Sequence, residues 1–204
     1  MQKILFVTGS LLVAALLLLG VNPSESWGTE NPIGELVFFG GDVTLRREGS
    51  EGKPTPEIGL PMHVGDIVVT GGDGRASIQL NDGSQILVNP KTIYTLEQER
   101  KGRLRLGEIF AKIARGKGRG FAFQTPTAVA SVSGTKFLLR RGWICVTEGN
   151  MMVANDFGSV EVEEFNFTTF TADAAPNPPT PAPDDILDYV NAQEKILDDS
   201  IAGN

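Results

Sequence analysis

Between residues 36 and 162 the apolar side chains come in short runs, broken by glycine or asparagine turns, with no helical period. RASIQL (75–80) sets Ala76, Ile78 and Leu80 on one side and Ser77 and Gln79 on the other, the two-residue alternation of a strand. NDGS (81–84) follows it. Its Asp-Gly pair suits a tight hairpin, whose central residues need positive φ, so 85–88 is expected to pair back. Similar runs occupy 36–39, 42–46, 66–70, 92–96, 104–106, 108–113, 121–124, 137–140, 144–147, 151–154 and 159–162. About a dozen short strands at this spacing predict an all-β body, a compact β-solenoid-like or sandwich-like stack.

The pattern changes twice outside that body. From Thr171 a proline-rich stretch, ADAAPNPPTPAP, predicts an extended linker over 171–183. The tail 184–204 then returns to a helical period, with Asp184 placed as N-cap and Ile186, Val190, Leu197 and Ile201 on one face. It predicts a short acidic amphipathic helix over about residues 185–200. Such a helix is marginal alone in water. It is either a frayed tail or an element that docks, on a partner or on the body itself.

At the other end, Lys3 precedes an apolar run from Ile4 to Val21, and Ser24 and Ser26 stand before Trp27 in a small-x-small pattern. This is the layout of a secretory signal peptide over 1–26, leaving a body over 27–170 in the periplasm or outside the cell. The alternative is a retained anchor in the inner membrane with the body in the periplasm. No cysteine directly follows the apolar run, so a lipoprotein anchor is not expected.

Composition adds a charge asymmetry to this picture. The chain is 41% hydrophobic and 21% charged, a globular balance, and its 24 glycines fit many turns. The net charge of −7 is uneven: residues 27–160 hold 16 basic and 14 acidic side chains, whereas 161–204 hold 10 acidic ones and one lysine. A nearly neutral body therefore carries an acidic tail.

Reactive chemistry is sparse. Cys145 is the one cysteine and lies in the apolar run WICV, so it reads as a buried thiol. His63 is the one histidine, and no nucleophile elbow of the G-x-S-x-G kind accompanies it. One His and one Cys do not make a zinc site. GGDGRASIQ resembles a calcium nonapeptide, but Ala76 stands where the ligand aspartate belongs and the unit occurs once. RGFAF (119–123) matches the start of an RNA-recognition signature without the helices that fold requires, so Phe121 and Phe123 read as core. No enzyme activity, no cofactor and no nucleic-acid partner are expected.

Two features remain. The stretch 100–119 is strongly basic, and Arg103, Arg105, Lys112, Arg115, Lys117 and Arg119 are candidates for contact with a partner or an anionic polymer. Solvated edge strands guarded by charge, or docking of the acidic tail, would explain the same residues. The second feature is TPTAVASVSGTKFLL (125–139). Its Thr125, Pro126, Ala128, Ala130, Val132, Gly134, Thr135 and Phe137 fall in register on the pattern T-P-x-A-x-A-x-V-R-G-T-x-F and so resemble the FecR domain family. The flanking segments extend the likeness over about residues 40–163. Ser133 departs from the pattern, standing where the family usually carries arginine.

The resemblance implies a stack of short strands and, in the family's best-known members, a periplasmic domain that follows a cytoplasmic anti-sigma segment and a membrane helix. Only Met1–Lys3 precede the apolar run, so that segment is not expected. The expectation is a non-enzymatic, exported FecR-domain binding or scaffold module of the bacterial envelope. Its partner would be an envelope protein or an anionic polymer such as peptidoglycan or lipopolysaccharide, with membrane contact only if the apolar segment is retained. The alternative is a membrane-anchored accessory of a transporter-linked, sigma-regulatory signalling system.

Overall fold

The computed structural model describes residues 31–47, 52–116 and 120–203. The expectations for 1–26, and those for Lys117 and Arg119, lie outside the described residues. From Asn31 the chain alternates between two sheets. It enters the first with β1 (Gly34–Gly40), crosses for β2 (Val43–Arg47), returns for β3 (Leu60–Met62) and crosses again for β4 (Asp66–Thr70). Hairpins then alternate. The pair β5 (Arg75–Leu80) and β6 (Gln85–Val88) lies in the first sheet, and β7 (Ile93–Gln98) with β8 (Lys101–Leu106) in the second. A single strand, β9 (Glu108–Ile113), returns to the first sheet, and β10 (Phe121–Gln124) with β11 (Val129–Val132) to the second. β12 (Thr135–Arg140) and β13 (Trp143–Glu148) follow in the first, then β14 (Met151–Asn155) and β15 (Gly158–Val162) in the second. Last come β16 (Asn166–Thr169) and β17 (Thr180–Pro181) in the first, and the helix α1 (Asp184–Ala202).

The result is a sandwich of nine and eight strands, ordered β17-β16-β13-β12-β9-β6-β5-β1-β3 and β15-β14-β11-β10-β8-β7-β4-β2. Strand order follows chain order almost throughout, which gives the sandwich its solenoid-like advance. Every pairing is antiparallel except β8 with β10. The all-β expectation holds, with more strands than the dozen expected. VASV of β11 alternates exposed and buried residues, although its small side chains hid it in the sequence.

The two sheets differ in how they are buried. The second alternates, as in β11, because its outer face meets water. The first is buried on both faces across β6, β9, β12 and β13. Inward residues such as Leu36, Ile78, Leu104, Phe123 and Phe137 fill the space between sheets. Leu87, Phe110, Leu138 and Cys145 point the other way and pack with Val190 and Leu197 of α1. The helix is thus a third layer, docked on the body, and not a frayed tail. Each fully buried Val or Leu contributes about 1.5–3 kcal/mol. The helix begins after Pro183, and no side chain caps it, so the expected Asp184 cap does not form. Asp184 and Asp185 instead place negative charge in the first turn, where the helix dipole favours it.

Cys145 is fully buried, and burial pushes its thiol up to about 11. Phe121 and Phe123 are core residues whose rings stack at 4.5 Å. His63 sits beside an ion pair: Arg47 grips Asp66 at 2.7 and 3.0 Å and approaches the His63 Nδ1 at 3.0 Å. This is a structural tie at the start of β4.

Candidate functional site

The first sheet orders β6, β9, β12 and β13 side by side, so residues distant in sequence form a row across it. Lys112 lies opposite Gln85 on one side and Lys136 on the other, and Lys136 lies opposite Glu148. Two lysines in register repel one another. Glu194 of α1 offsets this by reaching both, at 2.9 Å from Lys112 and 3.2 Å from Lys136. Asp198 adds a contact to Lys112 at 2.5 Å, and Glu148 one to Lys136 at 2.7 Å.

Burial works against the Glu194 carboxylate, but its hydrogen bonds from Lys112 and Lys136 outweigh that and hold its pKa below the usual carboxylate range. The hydrogen bond to Glu148 leads those that raise the Lys136 ammonium, against a smaller opposing effect of burial.

Beyond the row, the sheet ends in a cavity of about 410 Å³. Lys112, Arg115 and Lys136 line it together with the turn Gly134-Thr135. Gly134 adopts φ +72°, a left-handed conformation that strains any side chain, and a Cβ there would press on Arg115 at 3.2 Å. Thr135 donates its hydroxyl proton to the Asn150 carbonyl at 2.9 Å, tying this turn to the next hairpin. Arg115 is exposed and forms no ion pair among the described residues.

The predicted basic residues divide. Lys112 and Arg115 meet in this cleft. Arg103 and Arg105 do not, because they project from β8 in the second sheet, with buried Gly102 and Leu104 on the opposite side. They therefore lie on the far outer face. Arg103 pairs there with Glu97, while Arg105 is exposed. Lys117 and Arg119 lie outside the described residues.

The motif residues act structurally. Buried Thr125 accepts hydrogen bonds from the Thr127 and Ala128 amides at 3.2 and 3.0 Å, closing the β10–β11 turn around exposed Pro126. Ala128 and Ala130 are buried, and Phe137 meets Phe123 edge-on at 5.0 Å. The match of this segment in a family comparison follows that geometry: residues 66–161 match the model described as FecR protein. The chain carries a FecR domain. The matched range starts at β4, so β1–β3 lie outside it, although β2 and β3 fall inside the broader span of about 40–163 that the motif had suggested.

Two crystal structures of a candidate anti-sigma factor from Parabacteroides distasonis, at 1.65 and 2.50 Å resolution, share the fold. Each superposes with a TM-score of 0.52 at 16% identity, over 57% of this chain and 59% of that one. The chain thus spans under two thirds of that protein's length. No curated protein matches the sequence. Ser133, where the FecR domain usually has arginine, is exposed one residue from the cleft-lining Gly134, so it adds no cation there.

The sequence reading missed Lys136 and a buried cluster around Glu108. Glu108 accepts hydrogen bonds from Asn89 at 2.6 Å and from the Tyr189 hydroxyl of α1 at 2.7 Å, and it pairs with Arg140. The Arg140 guanidinium also lies over the rings of Trp143 and Tyr189, at 5.4 and 5.2 Å. Burial and then the Glu108 hydrogen bond push the Tyr189 phenol above its ordinary value. A lone acid in EIFAKI was the available sign: a carboxylate at the head of an otherwise apolar strand must find partners.

Proposed function

We propose that the chain is a non-enzymatic FecR-domain binding module of the bacterial envelope, acting in signalling, with the cleft at Lys112, Arg115 and Lys136 as its contact site. The family match supports a signalling-related role. The observation that carries the site is the convergence of three cations with the family-motif turn Gly134-Thr135 around one cavity. Lys112 and Lys136 are already shared with acidic side chains, whereas exposed Arg115 is available. Lys117 and Arg119, next in sequence, belong to the same proposed contact with a partner protein's carboxylates or an anionic envelope polymer. The far-face arginines Arg103 and Arg105 would make a separate contact.

Export by a cleaved signal peptide over 1–26 belongs to the same reading, and N-terminal sequencing of the mature protein tests it: a Trp27 start supports release, and an intact Met1 supports an anchored accessory. The site is tested by co-sedimentation with peptidoglycan, and by capture on lipopolysaccharide, at low and high salt. Binding should weaken with salt and fall further in Arg115→Glu, because exposed charge pairs are screened. Salt-insensitive binding, or binding unchanged by Arg115→Glu, would overturn the cleft as the contact site.

A further inference from the structure

The outer face of the first sheet is covered by α1 through three kinds of contact. Val190 and Leu197 fill the apolar strip of Leu87, Phe110, Leu138 and Cys145. Glu194 and Asp198 meet Lys112 and Lys136 along one edge. Tyr189 reaches Glu108 and lies over Arg140 on the other. This is how a groove takes an amphipathic helix: apolar anchors on one stripe, with charge setting the register.

The occupant is nevertheless imperfect. Gln193 is only 3% exposed and faces the interface, yet its Oε1 has no hydrogen-bond partner. A buried orphan carbonyl weakens the complex that contains it. The helix has no side-chain N-cap and no basic residue in its last turn, where Asp198 and Asp199 oppose the dipole. It reaches the sheet through the 171–183 stretch, which is mostly exposed and held by the short pairing of β17 with β16, by Asn177 against Thr168 and Thr169, and by the Ala182 amide on the Phe165 carbonyl. None of its residues belongs to the core between the sheets.

We propose that this face is a receiving site for acidic amphipathic helices, that α1 is its resident occupant, and that a helix of the same chemistry on a partner protein enters by displacing α1. The partner helix would carry apolar residues at the spacing of Val190 and Leu197, acids at the places of Glu194 and Asp198, and an apolar side chain in place of Gln193. Tethering gives α1 a high effective concentration, so a competitor must fit better. Removing the orphan amide supplies that advantage. The inference rests on the reading of the chain as a binding module and shares Lys112 and Lys136 with the proposed cleft. The two fail separately, because Arg115→Glu alters the cleft and leaves the apolar strip intact.

The test uses the full chain and a fluorescent synthetic peptide of residues 184–203 carrying Gln193→Leu. Anisotropy should show saturable, salt-weakened binding, about tenfold tighter than for the unaltered peptide. Ser77 and Ser200 place their hydroxyl oxygens 2.7 Å apart across the interface, so Ser77→Cys with Ser200→Cys provides a lock. The oxidised double variant should not bind the peptide, and reduction should restore binding. As a second route, Leu197→Ala in the protein weakens the resident and should tighten peptide binding at least tenfold. Equal binding by locked and reduced protein, or an affinity unmoved by Leu197→Ala, would overturn the proposal.

Discussion

Truncating Leu197 separates the helix layer from the sandwich. Leu197 is fully buried against Leu87, Phe110, Leu138 and Cys145, and it belongs to the helix-side cluster alone. Leu→Ala at a buried site costs about 2–5 kcal/mol, combining lost transfer energy with the cavity left behind. If α1 docks as its own unit, that cost falls on docking and not on the sandwich. The assay is built into the chain, because Cys145 is the only thiol and lies beneath the helix. Its labelling by an aromatic disulfide under native conditions reports the fraction of molecules with α1 lifted. A loss of about 2–5 kcal/mol should accelerate labelling by about thirtyfold to several thousandfold. The burial that raises the thiol to about 11 makes the docked background slow. In parallel, the urea midpoint of the sandwich should shift by much less than the docking loss implies. Unchanged labelling together with a midpoint lowered by the full amount would refute the argument, since helix and sandwich would then unfold as one.

Three further outcomes follow from particular contacts. Glu194 titrates below its ordinary 4.5 when docked, so its contribution is complete above that value and is lost as pH falls through the docked pKa; Lys136 is raised above 10.5, so its contribution is lost only as pH rises beyond that. Cys145 labelling relative to the free-thiol rate should therefore stay flat through neutral pH and rise only as pH falls below 4.5; a profile that stays flat in acid until the sandwich itself unfolds would count against the Glu194 contacts. Arg140→Met leaves Glu108 a buried carboxylate without its cation and should cost about 1–3 kcal/mol in urea unfolding, part of it recovered when Glu108→Gln is added; a double variant as unstable as the sum of the singles would show the pair uncoupled. Gly134→Ala forces an L side chain into φ +72° against Arg115 and should destabilise by about 1–2 kcal/mol, read as a lower thermal midpoint; an unmoved midpoint would remove the strain.

How far the sequence carried depended on the range of each interaction. The hairpin at 75–88 and the strands at 144–147, 151–154 and 159–162 were legible because alternation and turn residues act locally. The strand VASV was not, since Ala130 and Val132 make a weak apolar signal and only the pairing of β11 with β10 and β14 decides it. The basic stretch misled in a specific way. Arg103 and Lys112 are near in sequence, but the chain crosses between sheets at Gly107, so the two point from opposite faces of the sandwich. Lys136 joins Lys112 from a strand 24 residues on, through a register that local pattern does not set.

One clue to the third layer was in plain view. Half-covered strands alternate, whereas EIFA, KFLL and WICV are apolar at successive positions, the mark of strands covered on both faces. A two-layer sandwich leaves one of those faces in water. Something apolar must therefore lie on the first sheet, and the only remaining segment with a helical apolar stripe was 184–204. The tail alone left a frayed end and a docking element both open; these doubly apolar strands were the sign that favoured docking on the body. Those strands also mean that whenever α1 lifts, the face it leaves must find another cover.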